Sequence, residues 1–149
     1  MANSIHHEFH FSHPPEEVWE YLTKPELMKQ WLMENDFQPK VGFDFQFRTK
    51  PIPSLNLDGI FHCKVLEVLP FKRLSYSWKG GPGEGKITLD SLVIWQLNPK
   101  DKGTELVLDH TGFKEANFAI FTGMNDGWLK NIHKIANLIN VVKNGTTNP

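Results

Sequence analysis

The chain reads as an α+β domain in which a curved antiparallel sheet of about six strands wraps around one long C-terminal helix, with two short helices after the first strand. Three observations predict this. Residues 14–32 carry helical signals twice in succession. The stretch from there to about residue 112 alternates apolar and polar side chains at the period of a strand, and residues 114–143 return to helical spacing. Strands joined in sequence by short turns favour antiparallel pairing, and a lone long amphipathic helix must bury its stripe against the concave face of the sheet.

Each element follows from its residues. Ile5, His7, Phe9 and Phe11 alternate with His6, Glu8 and His10 in the first strand. Pro14 and Pro15 suit a first helical turn, whose amides need no acceptor, and Glu16 and Glu17 favour its positive end. Thr23-Lys24-Pro25 stops that helix and opens the next, with Val18, Trp19, Leu22, Leu27, Met28 and Trp31 as the apolar stripe. A connection is expected over residues 35–42, then a strand in which Phe43, Phe45 and Phe47 alternate with Asp44, Gln46 and Arg48, ended by Pro51 and Pro53. Asp58-Gly59 opens a long strand to about Leu69, and Pro70-Phe71-Lys72-Arg73 turns it into Leu74, Tyr76 and Trp78 as a hairpin.

Gly80, Gly81, Pro82, Gly83 and Gly85 predict a loop, with re-entry into a strand at about Ile87 that carries Val93, Trp95 and Leu97 on one face. Residues 98–103 form the next turn. The last strand, 104–111, sets Leu106, Leu108 and His110 on one side and is broken by Gly112. From about Lys114 to Lys143, Phe118, Phe121, Trp128, Ile132, Ile135 and Ile139 recur at helical spacing. Lys143 and Gly145 end the helix and leave a polar tail, 143–149.

At 149 residues the chain is expected to be one domain, with its core between about residues 5 and 142. A net charge of -1 gives no electrostatic reason to expect nucleic acid or an anionic membrane as partner. Five Trp and eleven Phe exceed what a small core strictly needs, and such rings also line pockets for apolar ligands. The single cysteine, Cys63, excludes an internal disulfide and a cysteine-rich zinc site, and nothing in its surroundings lowers its pKa. With no signal peptide and no membrane span, the expected location is cytoplasmic. Asn144-Gly145-Thr146 matches the glycosylation triplet and is read as a helix stop.

The order of elements, together with Pro15-Glu16-Glu17-Val18-Trp19, Pro25-Glu26-Leu27, Trp31, Gly59, Val65-Leu66-Glu67-Val68, Leu74-Ser75-Tyr76-Ser77-Trp78, Gly103-Thr104-Glu105-Leu106, His110-Thr111-Gly112-Phe113 and Gly127-Trp128, resembles a known family. It is similar to the domain related to the C-terminal part of the activator of heat-shock protein 90 ATPase (AHSA type), within the START-like, Bet v-like or SRPBCC superfamily of helix-grip folds. The similarity runs from about Ile5 to Val142. It implies a cavity between sheet and C-terminal helix lined by Trp31, Phe45, Phe47, Tyr76, Trp78, Trp95, His110, Phe121, Asn125 and Trp128. The superfamily supports several functions on one scaffold. The expectation here is binding of a small hydrophobic or aromatic molecule, a lipid, sterol or polyketide, without catalysis and without a cofactor. One alternative is a co-chaperone-like module docking on a heat-shock protein 90 type ATPase. The eukaryotic activator carries a further N-terminal domain, and the residues ahead of Ile5 are not expected to replace it, which counts against an ATPase-stimulating role.

The other alternative is a cyclase or hydrolase-like enzyme using His110, whose imidazole on an inward strand face could move a proton if Glu67 or Asn125 approached it. A core histidine bonded to backbone or water is the competing reading. The Tyr76 hydroxyl is open in the same way: it marks the polar end of a pocket or reaches solvent. His6, His7, His10 and His13 invite a metal, but on a strand His6 and His10 share one face, His7 points away and His13 lies beyond, so no metal site is expected. The glycine loop lacks the ending of a phosphate cradle and reads as a rim that could gate a pocket. Gly127, inside the long helix, costs about 1 kcal/mol relative to alanine. Either a close approach of helix to sheet or space for a ligand would offset this.

Overall fold

The computed structural model describes the backbone of residues 3–146 and the side chains as far as residue 141; the end of the expected polar tail, 147–149, lies outside the described residues. Along the chain come β1 (Asn3–Phe11), α1 (Pro15–Thr23), α2 (Pro25–Trp31), β2 (Glu34–Asn35), β3 (Asp44–Arg48), β4 (Ile60–Leu69), β5 (Arg73–Gly80), β6 (Leu89–Lys100), β7 (Gly103–Phe113) and α3 (Phe118–Thr146). The seven strands form one antiparallel sheet in the order β1-β7-β6-β5-β4-β3-β2, and α3 packs across it. Among the described residues no helix is long and apolar enough to cross a membrane.

The helix pair forms where the prolines place it. Pro15 and Pro25 each occupy a first turn, and the Trp31 indole N–H donates to the Tyr21 carbonyl at 2.8 Å, which fixes the elbow between α1 and α2. The register of the central strands then aligns the inward side chains in rows. Tyr76 lies opposite Val93 and Val93 opposite His110, while Leu74 lies opposite Trp95 and Trp95 opposite Leu108. A bulge between Val65 and Glu67 in β4 adds to the curvature of the sheet.

Four boundaries differ from the expectation, each for a local reason. A seventh strand, β2, begins at Glu34, where only a connection was expected. Asn35 receives the Phe37 amide and donates to the Met33 carbonyl, so the chain leaves α2 extended, and Phe37 is then buried 5.0 Å from the Phe45 ring. β6 continues through Pro99 to Lys100 instead of turning at Asn98. Its pairing with β5 stops at Gln96, so Pro99 lacks no bond on that side, and the turn shrinks to Asp101 and Lys102, both in the left-handed region. Gly112, with φ of 104°, kinks β7 without ending it and carries Phe113 into the core, 4.6 Å from the His110 ring. α3 starts at Phe118 after a 3-10 turn and runs to Thr146, four residues into the segment expected as tail. Its entry is held by Asn117, which accepts from the Lys114 amide and donates to the Thr88 carbonyl.

β1 and β7 meet most tightly at their ends, where a Cβ added to Gly103 would overlap the Phe11 carbonyl. Gly103→Ala is expected to lower the unfolding free energy by about 1–3 kcal/mol, read from the midpoint of a urea titration. An unchanged midpoint would show that the two strand ends can separate at no cost.

Candidate functional site: an apolar pocket under the long helix

The inward faces of β5, β6 and β7 and one face of α3 build a buried aromatic cluster. Trp128 on α3 sits between Trp78 and Trp95, with ring centroids 5.6 and 5.5 Å away, and Trp95 meets Trp31 at 6.0 Å. Each pair is edge-on, the arrangement that ring quadrupoles favour. Polar atoms inside the cluster form short closed lines. The Trp95 indole donates to the Tyr76 hydroxyl at 3.0 Å, and burial pushes that hydroxyl's pKa well up, so it remains protonated and internal.

A second line passes through His110. The Trp128 indole lies 3.0 Å from His110 Nδ1 and can only donate, so Nδ1 is the acceptor and Nε2 carries the proton. That proton is given to Ser91 Oγ at 2.8 Å, and the Ser91 hydroxyl donates in turn to the Trp78 carbonyl at 2.7 Å. The direction of this line decides the chemistry. A serine activated by histidine needs Nε2 bare, and here Nε2 is the donor. Glu67 does not reach His110: it accepts from Arg73 Nε and Ser75 Oγ, both at 2.9 Å. Nor is Asn125 among the hydrogen-bond partners of His110; its backbone carbonyl accepts from His7 Nε2 at 2.9 Å.

The remaining histidines each have separate partners. His6 donates to the Glu8 and Asp109 carboxylates, which raise its pKa, His10 bonds the Lys100 carbonyl, and His13 lies between Asn140 and Glu17. Cys63 is buried, and burial raises its thiol pKa well above the ordinary value.

Beside the cluster lies a pocket of about 240 Å³. One wall is α3, where Ile120, Gly123, Met124 and Gly127 face the space, and the floor is Trp78 and Trp128. The opposite wall is Leu32 and Met33 after α2, together with Ile52, Leu55 and Leu57 from the connection between β3 and β4. That connection is folded over the pocket by a bridge between Ile52 and Leu57 and a 3-10 turn, Pro53–Leu55. Phe61 completes the wall and lies flat enough on β5 that only a glycine fits beneath it: a Cβ on Gly80 would come within 2.9 Å of its ring.

Of the ten residues expected to line a cavity, Trp78 and Trp128 border this pocket. Trp31, Phe45, Phe47, Tyr76, Trp95 and His110 are buried in the cluster behind it, and Phe121 and Asn125 are half-buried on α3. The wall over residues 49–57 escaped the sequence reading because two prolines marked it as an interruption. Its signal was the run of Ile52, Leu55 and Leu57, more apolar than an exposed loop requires. Gly123, four residues before Gly127 and so on the same helix face, was the other missed sign.

A curved antiparallel sheet gripping one long helix, with a helix pair after the first strand and a pocket beneath the grip, defines a helix-grip domain of the SRPBCC type. Residues 12–140 match the family described as activator of Hsp90 ATPase homolog 1-like protein, and the chain belongs to that family. Among solved structures it is similar to protein MLL2253 from Mesorhizobium loti, at 34% identity and a TM-score of 0.82, covering 93% of this chain and 97% of that one. CalU16 from Micromonospora echinospora follows at 26% identity and a TM-score of 0.72, over 93% and 76% of the two chains. The Aha1 dimer from Colwellia psychrerythraea shares the fold, with 19% identity, a TM-score of 0.75 and coverage of 92% and 96%. No curated protein is significantly similar to the sequence.

Burial lowers the His110 pKa from 6.5 to about 3. The unfolded chain therefore takes up a proton that the folded chain refuses. This contribution to stability is complete above pH 6.5 and falls as pH drops towards 3, by at most about 1.4 kcal/mol per pH unit. His110→Asn keeps an acceptor for Trp128 and removes the titration. Urea unfolding of both proteins from about pH 7.5 down to about pH 4 is expected to give curves that converge on acidification, and parallel curves would place the acid sensitivity at another residue.

Proposed function

We propose that the protein binds a small, largely apolar molecule in the pocket between α3, Trp78 and the β3–β4 connection, and that it does so without catalysis. One observation carries this reading. Gly123 and Gly127 lie inside α3, where each costs about 1 kcal/mol relative to alanine, and a Cβ at either would meet nothing within 4 Å. No close helix–sheet contact offsets the cost, and both residues face the pocket. Open space is the only structural consequence of having glycine there.

The dimensions limit the occupant. At about 240 Å³ the pocket is smaller than the roughly 300–1,000 Å³ typical of sites for drug-sized ligands. One ring, two fused rings or a short branched chain fits, whereas a whole sterol requires the walls to move. The walls favour apolar matter, since the only polar side chains besides the indoles are Thr49 and Asn131. The donor state of His110 Nε2 supports binding over turnover.

A second reading, docking on a heat-shock protein 90 type ATPase, is supported by the family description and by an apolar turn on the outside. Leu69 and Phe71 are 51% and 44% exposed at the β4–β5 turn. Leu69→Ser combined with Phe71→Asn, an asparagine suiting the left-handed φ of 68°, is expected to abolish co-elution with such an ATPase at micromolar concentration. Co-elution equal to the parent's would remove that surface from the reading.

For the pocket itself, Gly127→Ala is expected to raise stability by about 0.5–1 kcal/mol. Gly127→Leu is expected to fill the space and abolish the thermal shift given by neutral one- and two-ring aromatics, with the fold intact by circular dichroism. Aromatic binding undiminished in the leucine variant would overturn the assignment of the pocket.

A further inference from the structure

Gly123, Gly127 and Asn131 stand four residues apart on one face of α3, and all three line the pocket. The two glycines contribute open space, and Asn131 contributes a carboxamide. Side chains of a helix lean towards its N-terminus, so the Asn131 amide is carried over the turn of Gly127, where a Cβ would meet nothing within 4 Å. Asn131 is half-buried, the walls beside it are apolar, and among the described residues its side chain has no hydrogen-bond partner. Other asparagines are committed to the fold: Asn117 holds the entry of α3, Asn35 the exit of α2, and Asn140 the His13 ring. Thr49, the other polar side chain on the walls besides the indoles, is exposed. Asn131 is therefore the group with hydrogen bonds to offer inside the space.

We propose that the Asn131 carboxamide is the polar contact for the bound molecule and selects it by its hydrogen-bonding edge. This rests on the reading of the pocket as a binding site. A carboxamide presents its C=O and N–H side by side in one plane, so it makes two hydrogen bonds to a partner that carries a donor next to an acceptor, the geometry by which asparagine reads an adenine edge. No charged side chain lines the space, so a carboxylate or ammonium would lose its hydration without a partner. The occupant is therefore a neutral one- or two-ring cyclic amide, with its N–H and C=O at Asn131 and its apolar ring beside Gly127 and Gly123. A hydrocarbon of the same shape fills the space but covers the amide without pairing it.

Three probes of similar shape test this with the full chain: naphthalene, isoquinolin-1-one, whose N–H and C=O are adjacent, and its N-methyl derivative, which keeps only the acceptor. Binding is followed by titration in a ¹H–¹⁵N spectrum, where the Asn131 amide gives its own pair of signals. Isoquinolin-1-one is expected to bind about tenfold or more tightly than naphthalene, despite being less hydrophobic, and about tenfold more tightly than its N-methyl derivative. It moves one Asn131 N–H signal downfield, as a new acceptor does, and naphthalene does not. Asn131→Leu, which keeps the size of the side chain, is expected to reduce isoquinolin-1-one to the level of naphthalene, while naphthalene binds at least as tightly as to the parent. Should that variant fail to fold, the N-methyl comparison and the Asn131 signal in the parent decide the matter. An unchanged preference for isoquinolin-1-one in the folded leucine variant, or its binding to the parent without the downfield shift, overturns the inference and leaves the pocket standing. Equal affinity of the parent for naphthalene and isoquinolin-1-one does the same. Binding of none of the three probes overturns both the inference and the reading of the pocket.

Discussion

One line of hydrogen bonds, from Trp128 through His110 and Ser91 to the Trp78 carbonyl, crosses from α3 to β7, β6 and β5. Hydrophobic burial alone would hold the helix on the sheet, but it is non-directional and tolerates sliding or rotation. This line does not tolerate them. Its four groups have fixed donor and acceptor roles, so a turn of α3 would leave the Trp128 indole N–H and His110 Nδ1 unpaired in the core, each at a cost of about 1–3 kcal/mol. The helix is thereby set in rotation, and that rotation determines that Gly123 and Gly127 face the pocket and the β3–β4 connection.

The pocket is a consequence of the same constraint together with the curvature of the sheet. Aromatic side chains from β3 to β7 fill the space near the middle of the helix, with Phe47, Trp78, Trp128 and His110 in contact. Towards the start of α3 a space remains beside Phe61 and Trp78, and Ile52, Leu55 and Leu57 fold across it. Large side chains on both sides would close it. Two glycines on one side keep it open, at a cost in helix stability that packing does not return.

Membership of the family fixes the scaffold and leaves the use of the space to local chemistry. In this chain the chemistry is sparse: an apolar chamber, a neutral histidine committed to holding an indole, and one indole N–H with no partner. The deep burial that makes His110 a good strut also keeps it neutral down to about pH 3.

Periodicity in the sequence was enough for the element order, the antiparallel sheet, the helix pair set by Pro15 and Pro25, and the inward rows of Tyr76, Trp78, Trp95 and His110, because these depend on near neighbours and on a period of two or 3.6 residues. Strand ends were less legible. Asn35, Pro99 and Gly112 have turn-forming side chains or backbones whose effect depends on which strand lies beside them. The site was decided by tertiary structure alone. Whether Trp95 or Trp78 borders a space, whether Gly127 accompanies a tight contact or a gap, and which nitrogen of His110 carries its proton all depend on groups 18 or more residues apart meeting in one place. Composition and spacing specify what each residue can do; only the packed arrangement determines which neighbour is left for it to do it with.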